Sequence, residues 1–514
     1  MPTIAYQGAR YTTRTDETVL DALLRGGADV PFSCRRGSCQ TCLMRTTDGD
    51  PGDHARRGLR AELVTSGHFM PCLCVPTQDL AIEEPDLSQL LISAMIGQIT
   101  RFGDRVVRLS LETETALEVR PGQYINIRRA DGVTRAYSVR GLVDEDYFVE
   151  TDVQRVAGGA MSNWAHDELQ VGDWVQVQGP LGDCHYRAEH AGRPLLLIAT
   201  GTGIAPLHGI VRDALRQQHD GPIHLVYGAR VRGDLYAHDE LLPLRERGVR
   251  YHPCLLDNRD APELAQADVV AHAFAQLPDA SDAVVFLCGD PDLVQRARCE
   301  AVLAGASRAR IHADPFESDV PRPPGDQILL DSVQADPELW QEIGEGPGLR
   351  AILEDFYTTV YEDPRLSPFF HNVTKERAVS KQYEFLVDMF TGTRTFFGLK
   401  PFNAHHWMVI SDELFDYREA LFEHTLRQHG VSEALLRRWA RLHELFRREI
   451  VKSRARGMFM NGVEVLHEGF QDEVLTVASV CDGCFAEMPE GSTGRLHRRT
   501  GQLYCRSCDA TGQG

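Results

Sequence analysis

The chain has 514 residues, a net charge of −20 at pH 7 and a pI near 5.5. This length exceeds what one hydrophobic core supports and predicts several domains. The negative charge disfavours nucleic acid and anionic membranes as partners, because both need a basic protein surface. The N-terminus lacks a basic region followed by an apolar run, and no stretch of about 18 apolar residues occurs. We therefore expect a cytoplasmic protein with no membrane or nucleic-acid partner.

Eight of the thirteen cysteines form two clusters with the spacing of metal ligands. In a reducing compartment such clusters favour metal over disulfides. The first cluster has the C-x4-C-x2-C spacing of a plant-type [2Fe–2S] centre, whereas a zinc site, the alternative, usually takes paired C-x2-C knuckles. Cys74 competes with Cys72 as the fourth ligand. The predicted iron ligands are Cys34, Cys39, Cys42 and Cys72.

Residues 1–86, which contain this cluster, resemble a plant-type ferredoxin. The resemblance implies an α+β fold of the β-grasp type and aligns Cys72 with the fourth ligand. Gly37 in the sequence SCRRGSC is expected to let the backbone amides turn towards the cluster sulfurs.

Residues 90–190 contain short runs of alternating apolar and polar residues between Gly and Pro turns, which predict antiparallel strands. Two motifs in this region, RAYS and GGAMS, have the order and spacing found in the ferredoxin reductase family. The resemblance implies an antiparallel β-barrel that binds FAD. In this family an Arg binds the pyrophosphate, an aromatic ring lies against the flavin, and a hydroxyl reaches the flavin N5 atom. The backbone amides of a Gly-Gly turn bind phosphate. The implied FAD residues are Arg135, Tyr137, Ser138, Gly158, Gly159 and Ser162.

Residues 193–318 begin with PLLLIATGTGIAPL, the pattern of a buried parallel strand that turns through glycines into a helix. Its G-x-G-x-x-P form and a later CG-x-P element are similar to the NAD(P)-binding α/β domain of the same family, where small residues let the dinucleotide approach the backbone. A single Arg230 favours NADH over NADPH. Phe316 either covers the flavin or packs in the core. The implied residues are Gly201, Gly203, Pro206, Arg230, Cys288, Gly289 and Phe316.

Residues 319–335 are rich in proline and charge, which is typical of a linker. The pattern of residues 336–458 predicts helices. Apolar residues at helical spacing from Leu349 to Tyr361 form one face that includes Tyr357. A second helical stripe contains Gln382 as its one polar member, and a buried Gln needs hydrogen-bond partners. A packed bundle in which Tyr357 and Gln382 bond each other would explain both.

The segments EDFYTTVYEDPRLSPFF, KQYEFLVDMFTGTRTFFG and AHHWMVI resemble a truncated haemoglobin of group I. The resemblance implies an all-α domain with haem b. It makes His405 the proximal ligand, places Phe370 against the porphyrin, and puts Tyr357 and Gln382 on the distal side, where donors hold dioxygen. His406 is the rival ligand, but neighbouring helical residues point in different directions, so only one can face the iron.

The second cysteine cluster has two C-x2-C knuckles separated by 20 residues, within 475–514. This spacing predicts a small zinc ribbon, with a rubredoxin-like iron site as the alternative. So short a segment has little core, and bound metal would supply much of its folding free energy. We expect a structural module or a docking site for a protein partner. The predicted ligands are Cys481, Cys484, Cys505 and Cys508.

Together these resemblances imply a multidomain, self-sufficient NAD(P)H-dependent nitric oxide dioxygenase with O2 and NO as substrates. Electrons would pass from NAD(P)H to FAD and then, directly or through the [2Fe–2S] cluster, to the haem, where NO is oxidised to nitrate. One alternative is an oxygenase-type reductase fused to a haem sensor of O2 or NO. Another is a haem that reduces nitrite or hydroxylamine.

Overall fold

A computed structural model of the chain describes residues 2–509, except 15–16, 33–36, 38–39, 41, 60, 87–89, 317–323, 371–372, 395, 397, 453–455, 461–462, 466–469, 476–477, 482–483, 485 and 498–502. The chain divides into two compact units. The first unit contains 1–30, 44–83 and 321–514, and the second contains 31–43 and 84–320. Among the described residues, no helix is both long and apolar enough to cross a lipid bilayer.

The N-terminal part of the first unit is a five-stranded mixed sheet with two short helices. The strand order is β2-β1-β5-β3-β4, with β1 antiparallel to β2 and parallel to β5. The elements are β1 (Thr3–Tyr6), β2 (Ala9–Thr12), α1 (Val19–Arg25), β3 (Met44–Asp48), α2 (Ala61–Thr65), β4 (His68–Phe69) and β5 (Leu80–Glu83). Thr18 caps α1 by accepting a hydrogen bond from the Asp21 amide, which satisfies one of the free amides of the first turn.

The second unit begins with a six-stranded antiparallel sheet of order β10-β7-β6-β11-β8-β9. A bridge between Val139 and Thr151 links the segment after β9 to β10, at the two ends of that order. Alternating apolar residues of these strands form one core, as their period of two predicts. The elements are β6 (Ile92–Phe102), β7 (Val106–Thr113), β8 (Tyr124–Arg128), β9 (Thr134–Ser138), α3 (Val143–Asp146), β10 (Val149–Gln154), α4 (Ala160–Asp167) and β11 (Trp174–Leu181).

The rest of the second unit is a parallel sheet of order β15-β14-β13-β12-β16-β17. Its central strands β12, β13 and β16 are almost wholly buried, as expected for parallel strands covered on both faces. The elements are β12 (Leu195–Thr200), α5 (Ile204–Arg216), β13 (Ile223–Ala229), α6 (His238–Leu241), β14 (Arg250–Leu255), β15 (Ala265–Gln266), α7 (Val269–Gln276), β16 (Val284–Gly289), α8 (Pro291–Leu303) and β17 (Ile311–Pro315).

Buried arginines join the antiparallel and parallel sheets of the second unit. The Arg108 guanidinium donates to Asp152 on β10 at 2.8 Å and to Glu240 on α6 at 2.9 Å. Arg140 also donates to Glu240, at 2.8 Å. Because both guanidinium groups are nearly inaccessible to water, these paired charges fix the position of the two sheets relative to each other.

The predicted linker 319–335 differs from the structure, which places helix α9 (Asp326–Ser332) inside it. The α9 residues Leu329 and Leu330 pack against the core of the following helices, and the Asp326 carboxylate accepts the Phe402 amide at 3.0 Å. Residues 319–323, at the start of the predicted linker, lie outside the described residues. The apolar residues that follow belong to the helical domain.

Helices α9 to α16 enclose one apolar core, which contains Phe356, Phe422 and Trp439. Helix α11 buries the apolar face predicted from its periodicity, including Tyr357. The remaining helices are α10 (Pro337–Glu342), α11 (Glu345–Glu362), α12 (Lys375–Thr391), α13 (Pro401–Ala404), α14 (Asp412–Gln428), α15 (Glu433–Leu445) and α16 (Arg447–Ile450).

The C-terminal part of the first unit is made of short antiparallel strands and a final helical turn. The strand Phe470–Val474 lies ahead of the predicted start at 475 but pairs with Thr493–His497 in the same small sheet. The elements are β18 (Met458–Met460), β19 (Val463–Val465), β20 (Phe470–Val474), β21 (Ser479–Val480), β22 (Glu487–Met488), β23 (Thr493–His497), β24 (Leu503–Tyr504) and α17 (Arg506–Asp509).

Candidate functional site

The two glycine motifs of the parallel sheet meet at the carboxyl ends of β12 and β16. A Cβ atom on Gly203 would lie 2.2 Å from the Cys288 carbonyl oxygen, so only glycine fits there. Gly289 has a φ of +120° and lies against the Thr200 backbone. Pro206 is buried in the first turn of α5. The fold thus brings together the two glycine-containing backbone segments that the sequence predicts to approach a dinucleotide.

A cavity of about 910 Å³ opens at this edge of the sheet, and Gly201 and Arg230 line it. Three other arginines line it too, and each pairs with an aspartate: Arg105 with Asp234, Arg232 with Asp239, and Arg296 with Asp268. Within the part of the chain that the structure describes, Arg230 is the one cavity arginine without a carboxylate partner. It is therefore the residue best placed to receive a ligand phosphate.

Strand β9 carries the RAYS motif at the end of the antiparallel sheet. The Ser138 hydroxyl donates to the Asp314 carboxylate on β17 at 2.7 Å, which joins the two sheets at this point. Burial raises the pKa of Asp314, and burial also raises the pKa of Tyr137. Phe316 follows β17 and is about one-third exposed at 36%, so it does not lie in the core. Arg135 donates to its neighbour's carbonyl oxygen, on Thr134, at 2.7 Å.

The GGAMS motif forms the turn that opens α4. Gly158 has a φ of +72°, which favours glycine, and Gly159 is the N-cap residue. The Ser162 hydroxyl accepts from the Val156 amide at 3.1 Å and donates to the Gly159 carbonyl oxygen at 3.3 Å. Ser162 thus stabilises the turn, while the glycines leave the backbone exposed for a phosphate.

Only part of the predicted iron–sulfur ligand set can be described. Cys34 and Cys39 lie outside the described residues, whereas Cys42 and Cys72 are both buried. Burial raises the pKa of Cys74 to about 12, and its thiol donates to the Pro51 carbonyl oxygen at 3.4 Å. Cys72 stays the predicted fourth ligand, with Cys74 as the alternative. Gly37 has a φ of +78°, as the predicted turn requires.

Tyr357 lies inside the helical domain, against aromatic rings. Its ring meets Phe370 edge to face with centroids 5.7 Å apart, and Phe370 also packs on Tyr361. Burial raises the pKa of Tyr357, while the charge and hydrogen bond of Arg418 act in the opposite direction. Arg418 is also paired with the buried Glu419 carboxylate, so the Tyr357 hydroxyl lies near an ion pair in the domain interior.

Sequence reasoning missed Arg418. Its guanidinium lies over the rings of Phe356 and Phe422, at 5.1 and 4.9 Å from their centroids, and bonds His443 at 3.1 Å. An arginine on an amphipathic helix usually faces water, so nothing in the sequence marks it. Gln382 is half-buried, and its side chain makes no hydrogen bond within the described parts of the chain. Among the described residues, Tyr357 and Gln382 do not bond each other, and the Arg418 side chain is the group that lowers the pKa of Tyr357 against the effect of burial.

His405 follows the short helix α13, and its Nδ1 donates to the Pro401 carbonyl oxygen at 2.8 Å. Burial lowers the pKa of His405 to about 4, and the charges of Lys452 and Arg418 act in the same direction. The imidazole is therefore neutral near pH 7, and its Nε2 bonds none of the described residues. A neutral imidazole oriented through Nδ1, with Nε2 left for a metal, suits an axial iron ligand.

His406 is also buried, and its Nδ1 bonds the Asn403 carbonyl oxygen at 2.7 Å. Both imidazole rings are thus oriented through Nδ1 by a carbonyl oxygen three or four residues earlier in the chain. His405 stays the predicted iron ligand, with His406 as the alternative.

Four cysteines of the C-terminal strands form the one group of potential metal ligands found in the described regions. The sulfur atoms of Cys481, Cys484, Cys505 and Cys508 all lie within 4.8 Å of one another, and the Cys505 amide donates to the Cys481 sulfur at 3.2 Å. The surrounding core is very small, with Leu475 and Met488 as its buried apolar members. A four-sulfur site of this kind could hold one metal ion.

Four domain families match separate parts of the chain. Residues 3–77 match the 2Fe-2S iron-sulfur cluster binding domain, and residues 100–186 match the oxidoreductase FAD-binding domain. Residues 197–299 match the oxidoreductase NAD-binding domain, and residues 338–450 match the bacterial-like globin. These matches support a [2Fe–2S] cluster, FAD, NAD(P)H and haem as the cofactors. The predicted ferredoxin, flavin, nicotinamide and globin regions are confirmed at this level.

Several known proteins match, along almost their whole length, the part of this chain that precedes the globin. The chain is 30% identical to the ferredoxin–NAD(P)+ reductase component of naphthalene 1,2-dioxygenase/salicylate 5-hydroxylase systems from Ralstonia sp., over 59% of this chain and 94% of the relative. It is 31% identical to the reductase subunit of an aromatic O-demethylase from Amycolatopsis sp., over 61% of this chain and 98% of the relative. The crystal structure of an Amycolatopsis cytochrome P450 reductase matches 62% of this chain and 99% of its own, with 30% identity and a TM-score of 0.45. The chain therefore belongs to the family of iron–sulfur flavoprotein reductase components of oxygenase systems, and it carries a bacterial-like globin domain in addition.

Proposed function

We propose that the protein is a self-sufficient NAD(P)H-dependent nitric oxide dioxygenase. The observation that carries this proposal is the fusion itself: an oxygenase-type reductase is continuous with a globin whose His405 leaves Nε2 open to an iron. Such a reductase needs an electron acceptor, and a haem at His405 would be one in the same chain. The Tyr357–Arg418 contact supports a distal side built to hold a polar diatomic ligand.

The reductase residues would bind and orient the electron donors. Arg230 would receive a phosphate of the nicotinamide dinucleotide, and Phe316, outside the core, would cover the flavin until nicotinamide enters. Ser138, held by Asp314, would place its hydroxyl at the flavin. NADH remains the favoured donor, because the other cavity arginines are neutralised by aspartates. Each NAD(P)H supplies two electrons, so two NO and two O2 would yield two nitrate ions, NAD(P)+ and one proton.

When bound, a haem b supplies the iron at which O2 is reduced and transferred to NO. Among the chain's own residues, His405 would hold this iron through Nε2, with the ring fixed by the Pro401 carbonyl oxygen. The Tyr357 hydroxyl would donate a hydrogen bond to the bound diatomic molecule, and the Arg418–Glu419 ion pair would orient that hydroxyl. Phe370 would pack on the porphyrin. Gln382, half-buried without a described partner, would add a second distal donor. The domain would be of the truncated, group I type.

The C-terminal four-cysteine group would be a structural zinc ribbon that serves as a docking module for a protein partner. Its small core supports a need for metal, since few apolar contacts are available to fold it. Metal analysis of the purified chain is expected to find zinc that the variant Cys484→Ser loses. Iron at this site would instead indicate a rubredoxin-like centre.

The decisive experiment uses the purified holoprotein, NADH and NO in air, without any partner protein. We expect NO consumption with stoichiometric nitrate formation and with one NADH used for two NO. The variant His405→Ala should lose nitrate formation but keep NADH-dependent reduction of ferricyanide, because the reductase residues are unaffected. NADH oxidation without nitrate would contradict the proposal.

A second candidate function is supported by the names of the relatives, which are reductase components of multi-protein oxygenase systems. In that case the reductase would feed a separate oxygenase, and the globin would sense O2 or NO. Fast reduction of an added oxygenase together with slow reduction of the chain's own haem would favour this function.

A further inference from the structure

One ion pair joins the ferredoxin-like part of the first unit to its globin part. Arg57 follows the short turn Asp53–Arg56, and its Nη1 donates to the Ser411 hydroxyl at 2.8 Å. Its Nη2 lies 2.9 Å from the Glu413 carboxylate. Ser411 is the N-cap of α14, where it also accepts the Leu414 amide at 3.2 Å. One guanidinium thus binds both the cap and the first turn of a globin helix.

On the ferredoxin side, the Arg57 turn rests on the segment that contains a predicted cluster ligand. The Met70 amide donates to the Ala55 carbonyl oxygen at 2.7 Å, and Ala55 is fully buried. Met70 is two residues from Cys72, and both residues are buried. A single backbone hydrogen bond therefore separates the docking turn from the predicted iron ligand segment.

On the globin side, the residues next to Ser411 lead to His405. Ile410 forms an isolated bridge with Lys452, whose amide donates to the Ile410 carbonyl oxygen at 2.9 Å. The Lys452 Nζ atom donates a hydrogen bond to the His405 carbonyl oxygen. A covalent and hydrogen-bonded path therefore connects the docked helix terminus with the predicted haem ligand.

The charges at this contact are complementary. Helix α14 begins with Asp412 and Glu413, and Asp412 is paired with Arg447 at 2.9 Å, which leaves Glu413 to Arg57. Burial and the Arg57 charge lower the pKa of His54, and the Glu413 charge acts in the opposite direction. The complementary charges are therefore the Arg57 guanidinium of the turn and the Glu413 carboxylate in the first turn of α14.

The contact is weak by itself, as a transient electron-transfer contact should be. The Arg57 side chain is 39% exposed and Glu413 is 64% exposed, and exposed ion pairs contribute little net stabilisation. A tether in one chain raises the local concentration of the partner to the millimolar range, at which weak docking suffices. The pair can therefore set the orientation without locking the two domains together.

We propose that the turn Asp53–Arg57 docks on the start of α14 through the Arg57–Ser411/Glu413 contact, and that electrons pass from the [2Fe–2S] cluster to the haem across this face. This inference rests on the proposed function only in taking the haem as the acceptor. Each passage moves one electron, which leaves the reduced cluster oxidised and converts ferric haem iron to ferrous. FAD then reduces the haem through the cluster, and two such steps use the electron pair of one NAD(P)H.

The test is anaerobic stopped-flow reduction of the full-length holoprotein by NADH, with flavin, cluster and haem followed by their separate absorbance. Charge reversal by Arg57→Glu should leave flavin and cluster reduction unchanged and slow haem reduction by about tenfold or more, because two carboxylates then face each other. Glu413→Arg should do the same. The double swap Arg57→Glu/Glu413→Arg should restore the rate to within about twofold of wild type.

Arg45→Glu is the matched control, because Arg45 is an exposed arginine of the same domain that pairs with Glu83 on a neighbouring strand. It should leave haem reduction at the wild-type rate. Dithionite should reduce the haem equally fast in every variant, which shows that the globin is intact. Unchanged haem reduction in both single variants would overturn the proposal.

Amide hydrogen exchange of the full chain gives a readout that is independent of turnover. Arg57→Glu and Glu413→Arg should increase exchange in segments 53–58 and 411–415, and the double swap should reverse the increase. Equal exchange in all variants would contradict the docking face. If haem reduction depends on Arg57 but no nitrate forms, the dioxygenase proposal fails and the docking face stands. If nitrate forms at the wild-type rate in both single variants, the docking face fails and the dioxygenase stands.

Discussion

At the scale of single residues, Arg418 determines how the globin interior is interpreted. It lies near Tyr357, whose hydroxyl it approaches, and its charge also acts on His405. A buried tyrosine alone is compatible with simple packing against Phe370. A buried tyrosine beside a cation and a neutral histidine with an open Nε2 is compatible with a ligand-binding haem.

Tyr357→Phe is expected to speed dioxygen loss from the ferrous globin by roughly tenfold, because a hydrogen bond to a charged acceptor contributes about 1.5 kcal/mol. Stopped-flow measurement of the O2 dissociation rate checks this. Tyr361→Phe is the matched control, since the Tyr361 hydroxyl donates to the Val373 carbonyl oxygen instead. Equal dissociation rates for Tyr357→Phe and wild type would remove Tyr357 from the distal side.

At the scale of elements, the turn between β12 and α5 is defined by its approach to β16. The strands are adjacent and parallel, so their carboxyl ends meet at one edge of the sheet. The space between the Gly203 backbone and Cys288 admits no side chain. The shape of the dinucleotide edge is therefore a property of two elements that are far apart in the chain.

Gly203→Ala is expected to raise the KM for NADH in ferricyanide reduction by about tenfold, since forced overpacking of this kind costs about 1–3 kcal/mol. Steady-state kinetics of the holoprotein check the effect. Gly233→Ala is the control: Gly233 lines the same cavity, but an added Cβ atom there meets nothing within 4 Å. Its KM should stay at the wild-type value. A wild-type KM for Gly203→Ala would show that the turn can adjust.

At the scale of the whole molecule, the second unit contains several histidines whose pKa values burial lowers. For His190, His252 and His312 the pKa falls from its usual 6.5 to about 4, chiefly through burial and then through neighbouring cations and histidines. The folded state therefore keeps these rings neutral where the unfolded chain binds protons. Stability is highest above pH 6.5 and is lost as the pH falls towards 4.

Calorimetry of the full chain should show this loss of stability. The midpoint temperature of unfolding of the second unit should fall as the pH is lowered from 6.5 to 4 and should change little above pH 7. Burial raises the pKa values of Glu150 and Asp314, which oppose the trend but are outnumbered by histidines. His252→Gln should make the slope shallower. His429→Gln, which changes a histidine of the globin paired with Asp355, should leave it unaltered. A midpoint that stays constant from pH 7 to 5 would contradict the prediction.

The sequence by itself determined which cofactor domains the chain contains and in what order. The features that predict these domains are local patterns, because turns and periodic elements need particular residue types at short spacing. They are the cysteine spacing, the RAYS and GGAMS motifs, the glycines of G-x-G-x-x-P and the helical stripe with Tyr357. Local patterns also predicted a linker over 319–335, because the segment begins with prolines and charged residues. The three apolar residues that follow lie on helix α9, which the linker prediction did not include.

Only the tertiary structure decided which residues of different elements meet. It joined Ser138 to Asp314, paired Arg418 with Glu419 and His443, and set Arg57 against Ser411 and Glu413. These partners are separated by tens to hundreds of residues, and no periodicity links them. Their contacts arise from packing and charge pairing between folded elements, which a linear pattern does not encode.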